Sequence, residues 1–446
     1  MNSASVSVDL EKKYGLPVAT AMVVGIVIGI GIFFKAEGIL GAARLNPQVA
    51  ILAWVLGGII TILAGLTAAE ISSCIPETGG LVAYIGRIYG DLAGFMTGWM
   101  HVVLYLPGLT AVLAYYTGFF ATVFLGIESS PTNVAMIAIP AFISVFLLNI
   151  FKAKAGGSLQ TIITMVKLIP LVLLLVFGFT NGTNVTPLAV SSEAAPFSIG
   201  LVLAALVPVM FAYDGWMLAC SIGGEIENPS KNLPRAIIFG LGMIVILYVG
   251  LNIALLKTLP AEVLAAEGTV GAAATLFGPM AVKLIFGGIV ISAYGTLNGL
   301  SLASIRFPFT LATESTFPMK EVFGKIDLKY GTPLNSGLLM FGLSFLYLVA
   351  PFVTGMSIDI FADIPVATIW AFYGVLFIGL IVLRKKRPEL ERTYKVPLYP
   401  VVPILAAIGG FGIAISATIN HPSYMLYSIV IILTGVPVYK KLIKEQ

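Results

Sequence analysis

The chain has 446 residues, 58% of them hydrophobic and only 10% charged, where soluble domains run at about 45–50% apolar and about 25% charged. That composition excludes a soluble enzyme and gives no reason to expect a nucleic-acid partner; it is the composition of a polytopic membrane protein. The net charge of +4 says less than the positions of the basic residues.

Residues 1–16 form a polar N-terminal segment, and the apolar run that follows is too long for a signal-peptide core, so no cleaved leader is expected. The first span, 17–43, contains Gly25, Gly29 and Gly31, and three glycines in seven residues weaken a helix at mid-membrane. Broken backbone survives at that depth only inside protein or beside an aqueous cavity, so the break predicts a cavity. The helix that restarts after Gly29-Ile30-Gly31 aims N–H groups and the positive end of its dipole into it, a site for an anion. Alone, the Gly25-xxx-Gly29 spacing reads first as small residues that let two helices approach; the matching interruption in span six turns the reading toward a site.

Further apolar runs of about 20 residues lie at 48–74, 90–125, 132–151, 158–179, 197–225, 235–256, 279–312, 334–354, 362–383, 400–419 and 423–440. With the first, they predict an all-α protein of twelve transmembrane helices. The connections are short; the longest are 181–186, Leu259 to Thr269 and Glu314 to Thr332, and none is long enough to fold as a domain. All 25 lysines and arginines except Lys35, Arg44, Lys167, Lys257, Lys283 and Arg306 fall on one side of this threading. That side is expected to be cytoplasmic, with both termini, in the plasma membrane.

Glu70, near the inner end of span two, is expected to be structural, a partner for a basic residue or for backbone N–H groups. Lys167 lies halfway along span five, where a lysine costs on the order of 2.5–3.5 kcal/mol and needs partners inside the protein. In span six, Phe211-Ala212-Tyr213-Asp214-Gly215-Trp216 places an acid and a glycine at mid-membrane. Spans one and six each open a group of five, and an odd number reverses the second group. Paired breaks of this kind mark an inverted-repeat transporter with a midplane site. The repeats would be 17–179 and 197–383, with 400–440 peripheral and 441–446 a cytoplasmic tail. N–H groups at Gly29, Ile30 and Gly31 would take a carboxylate, and carbonyls at Phe211, Ala212 and Tyr213 an ammonium. An α-amino acid fits both. Asp214 has three open roles: binding a substrate ammonium, carrying a coupled proton, or accepting hydrogen bonds from the broken helix.

Cys74 and Cys220 make no disulfide framework or metal site, and His101 and His421 pair with no nucleophile, so neither a metal, a cofactor nor an enzymatic reaction is expected. At this point the chain resembles the amino acid-polyamine-organocation superfamily, and within it the L-amino acid transporters. The likeness rests on Gly25 to Phe33, Ala69-Glu70-Ile71, Ile75 to Tyr84, Phe211 to Trp216, Glu225 to Ile237, Leu297-Asn298-Gly299 and Arg306. It implies ten core helices in two inverted halves and sodium-independent exchange of amino acids. Gly29 to Gly31 are then similar to the carboxylate site, Phe211 to the aromatic gate, and Lys167 to a fifth-span lysine that stands where sodium-coupled relatives hold an ion and couples conformational change. Two departures stand out: Ile30 replaces a usual serine, and Asp214 replaces a usually small residue. The 126–133 loop lacks the cysteine by which animal light subunits join a heavy chain, so no disulfide-linked partner is expected. The expected function is exchange of neutral L-amino acids. The rival readings on the same fold are a cationic amino acid or polyamine antiporter and a proton-coupled symporter; a transporter-like sensor ranks below them.

Overall fold

The computed structural model describes residues 15–75, 80–151, 168–217, 226–313 and 317–444. Among these the backbone is helical almost throughout, and an isolated bridge pairs Asp327 with Thr332. This follows from the solvent: away from water, a helix satisfies its own N–H and C=O groups within one segment. In chain order the helices are α1 (Leu16–Val27), α2 (Gly31–Ala42), α3 (Pro47–Cys74), α4 (Gly80–Tyr89), α5 (Asp91–Leu125), α6 (Pro131–Phe151), α7 (Leu168–Asn181) and α8 (Ile199–Ala212). They continue as α9 (Pro229–Thr258), α10 (Ala261–Thr313), α11 (Lys320–Phe323), α12 (Leu334–Thr354), α13 (Ile360–Lys386), α14 (Val401–Asn420), α15 (Pro422–Leu433) and α16 (Gly435–Lys444).

Nine helical segments among the described residues are long and apolar enough to cross a membrane, with α15 and α16 counted as one. Shorter apolar helices stand where spans one, five and six were expected, at Leu16–Gly25, Leu168–Asn181 and Ile199–Ala212. Local sequence explains several ends. Asn46 caps α3 by accepting from the N–H groups of Gln48 and Val49 at 3.1 and 3.2 Å, with Pro47 in the first helical position. Ser198 caps α8 through the Leu201 N–H at 3.3 Å.

One connection departs from expectation. Leu259 to Thr269 is not a loop: helix resumes at Ala261, because Ala-Glu-Val-Leu-Ala-Ala-Glu is a run of mostly strong helix formers. The kink comes at Gly268, with φ of 60°, and a second at Gly278, with φ of 72°. At that φ Gly268 holds a backbone conformation that L side chains rarely adopt, and an added Cβ would also have to displace the Glu37 carboxylate.

Helices α3, α9, α10 and α13 pack around the two broken segments. Gly57 allows α3 to meet α8, where an added Cβ would stand 2.6 Å from Val209 Cγ1. At the basic end, Glu70 is fully buried and accepts from Arg384 Nε and Nη2 and from the Val396 N–H, each at 2.7 Å, as its sequence position suggested. Breaking a buried pair costs about 3–5 kcal/mol, and the lower figure applies because Arg384 is 22% exposed. Glu70→Gln is therefore expected to lower the melting midpoint in detergent clearly. An unchanged midpoint would show that the clamp contributes nothing.

Candidate functional site

The first break is built by three residues. Ile28 leaves the helix at φ −70° and ψ 91° while its N–H still bonds to the Val24 carbonyl at 2.9 Å. Gly29 and Ile30 carry the chain over, and Gly31 begins α2. The leading N–H groups of a new helix have no carbonyl one turn back, so the start of α2 offers donors and the positive end of its dipole. Neighbouring helices brace the break on both sides. The Tyr248 hydroxyl donates to the Val27 carbonyl at 3.1 Å, and the Thr269 hydroxyl to the Phe33 carbonyl at 2.6 Å.

The second break follows Ala212, where α8 ends in a turn that runs through Met217. The two breaks meet. A Cβ on Gly31 would stand 3.0–3.1 Å from the Phe211 ring and 3.2 Å from Ala212 Cα, so only a glycine backbone lets α2 lie this close. A Cβ on Gly29 would reach Thr296 of α10 at 3.4 Å, an ordinary contact. Gly29, Ile30, Gly31, Phe211 and Ala212 thus share one junction between α1, α2, α8 and α10. The Phe211 carbonyl, expected to face an ammonium, accepts the Asp214 N–H at 3.3 Å within the turn. The Tyr213 side chain points elsewhere, its hydroxyl donating to the Trp54 carbonyl of α3 at 3.1 Å. Lys167 lies outside the described residues.

Asp214 is buried and its Oδ2 accepts a hydrogen bond from the Tyr105 hydroxyl. Tyr105 ends a π-helical turn, His101–Tyr105, inside α5, and such turns shift the register of the side chains that follow. Tyr373 of α13 and the Gly215 N–H also face this carboxyl. Among the described residues, Asp214 Oδ1 has no partner within hydrogen-bond distance.

A charged cluster covers the junction on its α2 side, and sequence reasoning missed it. Lys35, within the first predicted span and off its basic side, is only 2% exposed; its Nζ donates to Asp359 Oδ1 at 3.0 Å and to Asp363 Oδ1 at 2.8 Å. Nζ also stands 5.0 Å from the centre of the Phe211 ring and 5.1 Å from that of Phe34. Phe34 stacks on Tyr116 at 3.7 Å, and the Tyr116 hydroxyl donates to Asp359 Oδ1 at 3.2 Å. Beyond lies a cavity of about 220 Å³ whose lining includes Glu37, Tyr115, Tyr116 and Asp359. The signal was present in the sequence: a lysine four residues after the break, and two aspartates four apart at the start of span ten, one helical turn.

The arrangement can hold a small zwitterion: donors at one helix start, a turn with freed backbone opposite, an aromatic lid and an ion pair above it. No group of three or more His, Cys, Asp or Glu side chains suited to a metal ion occurs among the described residues.

The amino acid permease family model matches residues 14–436. The chain is 36% identical over 440 residues to the serine/threonine exchanger SteT of Bacillus subtilis, covering 98% of both chains. It is 30% identical to the large neutral amino acids transporter small subunit 2 of Mus musculus, across 98% of this chain and 82% of that one. With the b(0,+)-type amino acid transporter 1 of Mus musculus it shares 27% identity, across 97% and 88%.

Proposed function

The chain belongs to the amino acid permease family, within the amino acid-polyamine-organocation superfamily, and on that premise we propose that it is a sodium-independent exchanger of neutral L-amino acids working by alternating access. It is a membrane transporter and not an enzyme. The observation that carries the reading is the meeting of the two breaks, Gly31 against Phe211 and Ala212. A carboxylate would sit on the N–H groups of Gly29 to Gly31, an ammonium on carbonyls of the 211–213 turn other than that of Phe211, which the turn itself engages, and the Phe211 ring would lie over the substrate. The relatives' names favour neutral substrates, small hydroxyl-bearing ones included.

The architecture proposed with it has twelve spans, with repeats at 17–179 and 197–383 and with 400–440 added outside them. Support comes from the short apolar helices at three positions, two of which open the halves. Both termini are cytoplasmic in this reading, which puts the Lys35 cluster on the outer face as a closed outer gate. Lys167 would serve conformational coupling, as its family position implies. The chain would act in the plasma membrane without a disulfide-linked heavy chain.

One rival, transport of cationic amino acids, is raised by Asp214 being a buried acid beside the second break. Proteoliposome uptake of labelled alanine separates the two. Serine, threonine and alanine are expected to compete at least about tenfold better than arginine, a difference of about 1.4 kcal/mol, equally in sodium and choline media. Sodium-stimulated uptake, or arginine as the best competitor, would refute the proposal.

A further inference from the structure

Asp214 is bound unevenly. One carboxyl oxygen is capped by Tyr105, while the other, equally enclosed, has no donor within hydrogen-bond distance among the described residues, although the Gly215 N–H and Tyr373 face the same carboxyl. Buried acceptors in folded proteins almost always find partners, so an orphan oxygen at a helix break points to a donor that arrives from outside the chain. The turn that bears Asp214 begins with Phe211 and Ala212, which touch Gly31. A bound amino acid with its carboxylate at the start of α2 would extend its side chain toward this turn.

The number of free oxygens decides which donors fit. A hydroxyl needs one acceptor, and Oδ1 supplies it. A guanidinium binds carboxylate best through two parallel hydrogen bonds, one to each oxygen, and an ammonium gains most from an acid whose charge no other donor shares. The Tyr105 hydroxyl takes one oxygen and draws on that charge. Its own position is fixed by the π-helical turn that it ends and by the ring of His101, 5.3 Å away.

Building on the amino acid exchange proposed above, we propose that Tyr105 is a specificity-determining residue: by capping one oxygen of Asp214 it leaves a single-acceptor subsite that takes side chains with one hydrogen-bond donor and disfavours cationic ones. Asp214 is then the contact and Tyr105 the positioning residue that sets its charge preference. Tyr373, which faces the same carboxyl from α13, acts in the same direction more weakly.

The test is competition for labelled alanine binding to the purified full-length protein by serine, lysine and arginine, which needs no turnover. In Tyr105→Phe the ratio of arginine to serine affinity is expected to rise about tenfold, with a smaller rise for lysine. Adding Asp214→Asn is expected to cancel the rise. If Tyr105→Phe does not fold, Tyr373→Phe gives the same change at smaller amplitude. An unchanged ratio in a folded variant overturns the proposal, as does a rise that survives in the double variant. A parent that binds no amino acid overturns the exchanger reading and this one with it; a parent that binds alanine confines the failure to Tyr105.

Discussion

Gly31→Val is expected to reduce substrate binding by at least about 100-fold, or about 2.7 kcal/mol, in a protein that still folds. The added Cβ would stand 3.0–3.1 Å from the Phe211 ring and 3.2 Å from Ala212 Cα. A ring can swing aside, but backbone in the middle of the core cannot, so α2 must move. Overpacking of this kind costs typically about 1–3 kcal/mol, which a polytopic protein can absorb. Recognition suffers more, because valine's methyl groups occupy the space through which a carboxylate reaches the N–H groups. Gly29→Ala meets only Thr296 at 3.4 Å and should be much milder. Isothermal titration of detergent-purified protein measures both. Parent-like affinity in folded Gly31→Val would remove the first break from the binding site.

Lys35→Met should lower the exchange rate by at least about tenfold, through electrostatics and not through lost packing. Methionine keeps the unbranched stem but leaves Asp359 and Asp363 facing each other without a cation, and Glu37 lies near Asp359. Removing one partner of a buried pair costs about 3–5 kcal/mol; the lower end applies because Asp359 is 43% exposed and partly screened by water. Both acids sit at the start of α13, where the helix dipole offsets some of their repulsion. If the cluster is the closed outer gate, its loss biases the equilibrium toward the open form by the contacts that form only when closed. The double variant Lys35→Met with Asp363→Asn removes the excess charge and should recover part of the rate. Counterflow kinetics in liposomes decide the matter: no recovery, or a parent-like rate in the single variant, would deny the gate its electrostatic role.

The fold was legible where the physics is one-dimensional. Length and hydropathy located the spanning helices, since α3, α5, α6, α9 and α12 to α14 lie within a few residues of the predicted runs. The break in span one was legible because Gly25, Gly29 and Gly31 weaken a helix wherever they stand. Less legible was everything that depends on helix rotation. Periodicity could not bring Lys35 to Asp359 and Asp363, more than 320 positions away in the chain. Nor could it foresee that a π-helical turn would present Tyr105 to Asp214, since that turn changes which face α5 shows. Glu70 was easier: a buried acid near a basic loop has few partners open to it. The Leu259 to Thr269 segment failed as a loop because its polar residues hid a helix-forming run.

The most direct test of the account is counterflow in proteoliposomes made with the full-length protein alone. Vesicles loaded with unlabelled serine or alanine are expected to accumulate external labelled alanine in choline medium at least about tenfold faster than empty vesicles, with no change when sodium replaces choline. Equal uptake by loaded and empty vesicles would contradict exchange, and no uptake by either would contradict an amino acid site at the two breaks.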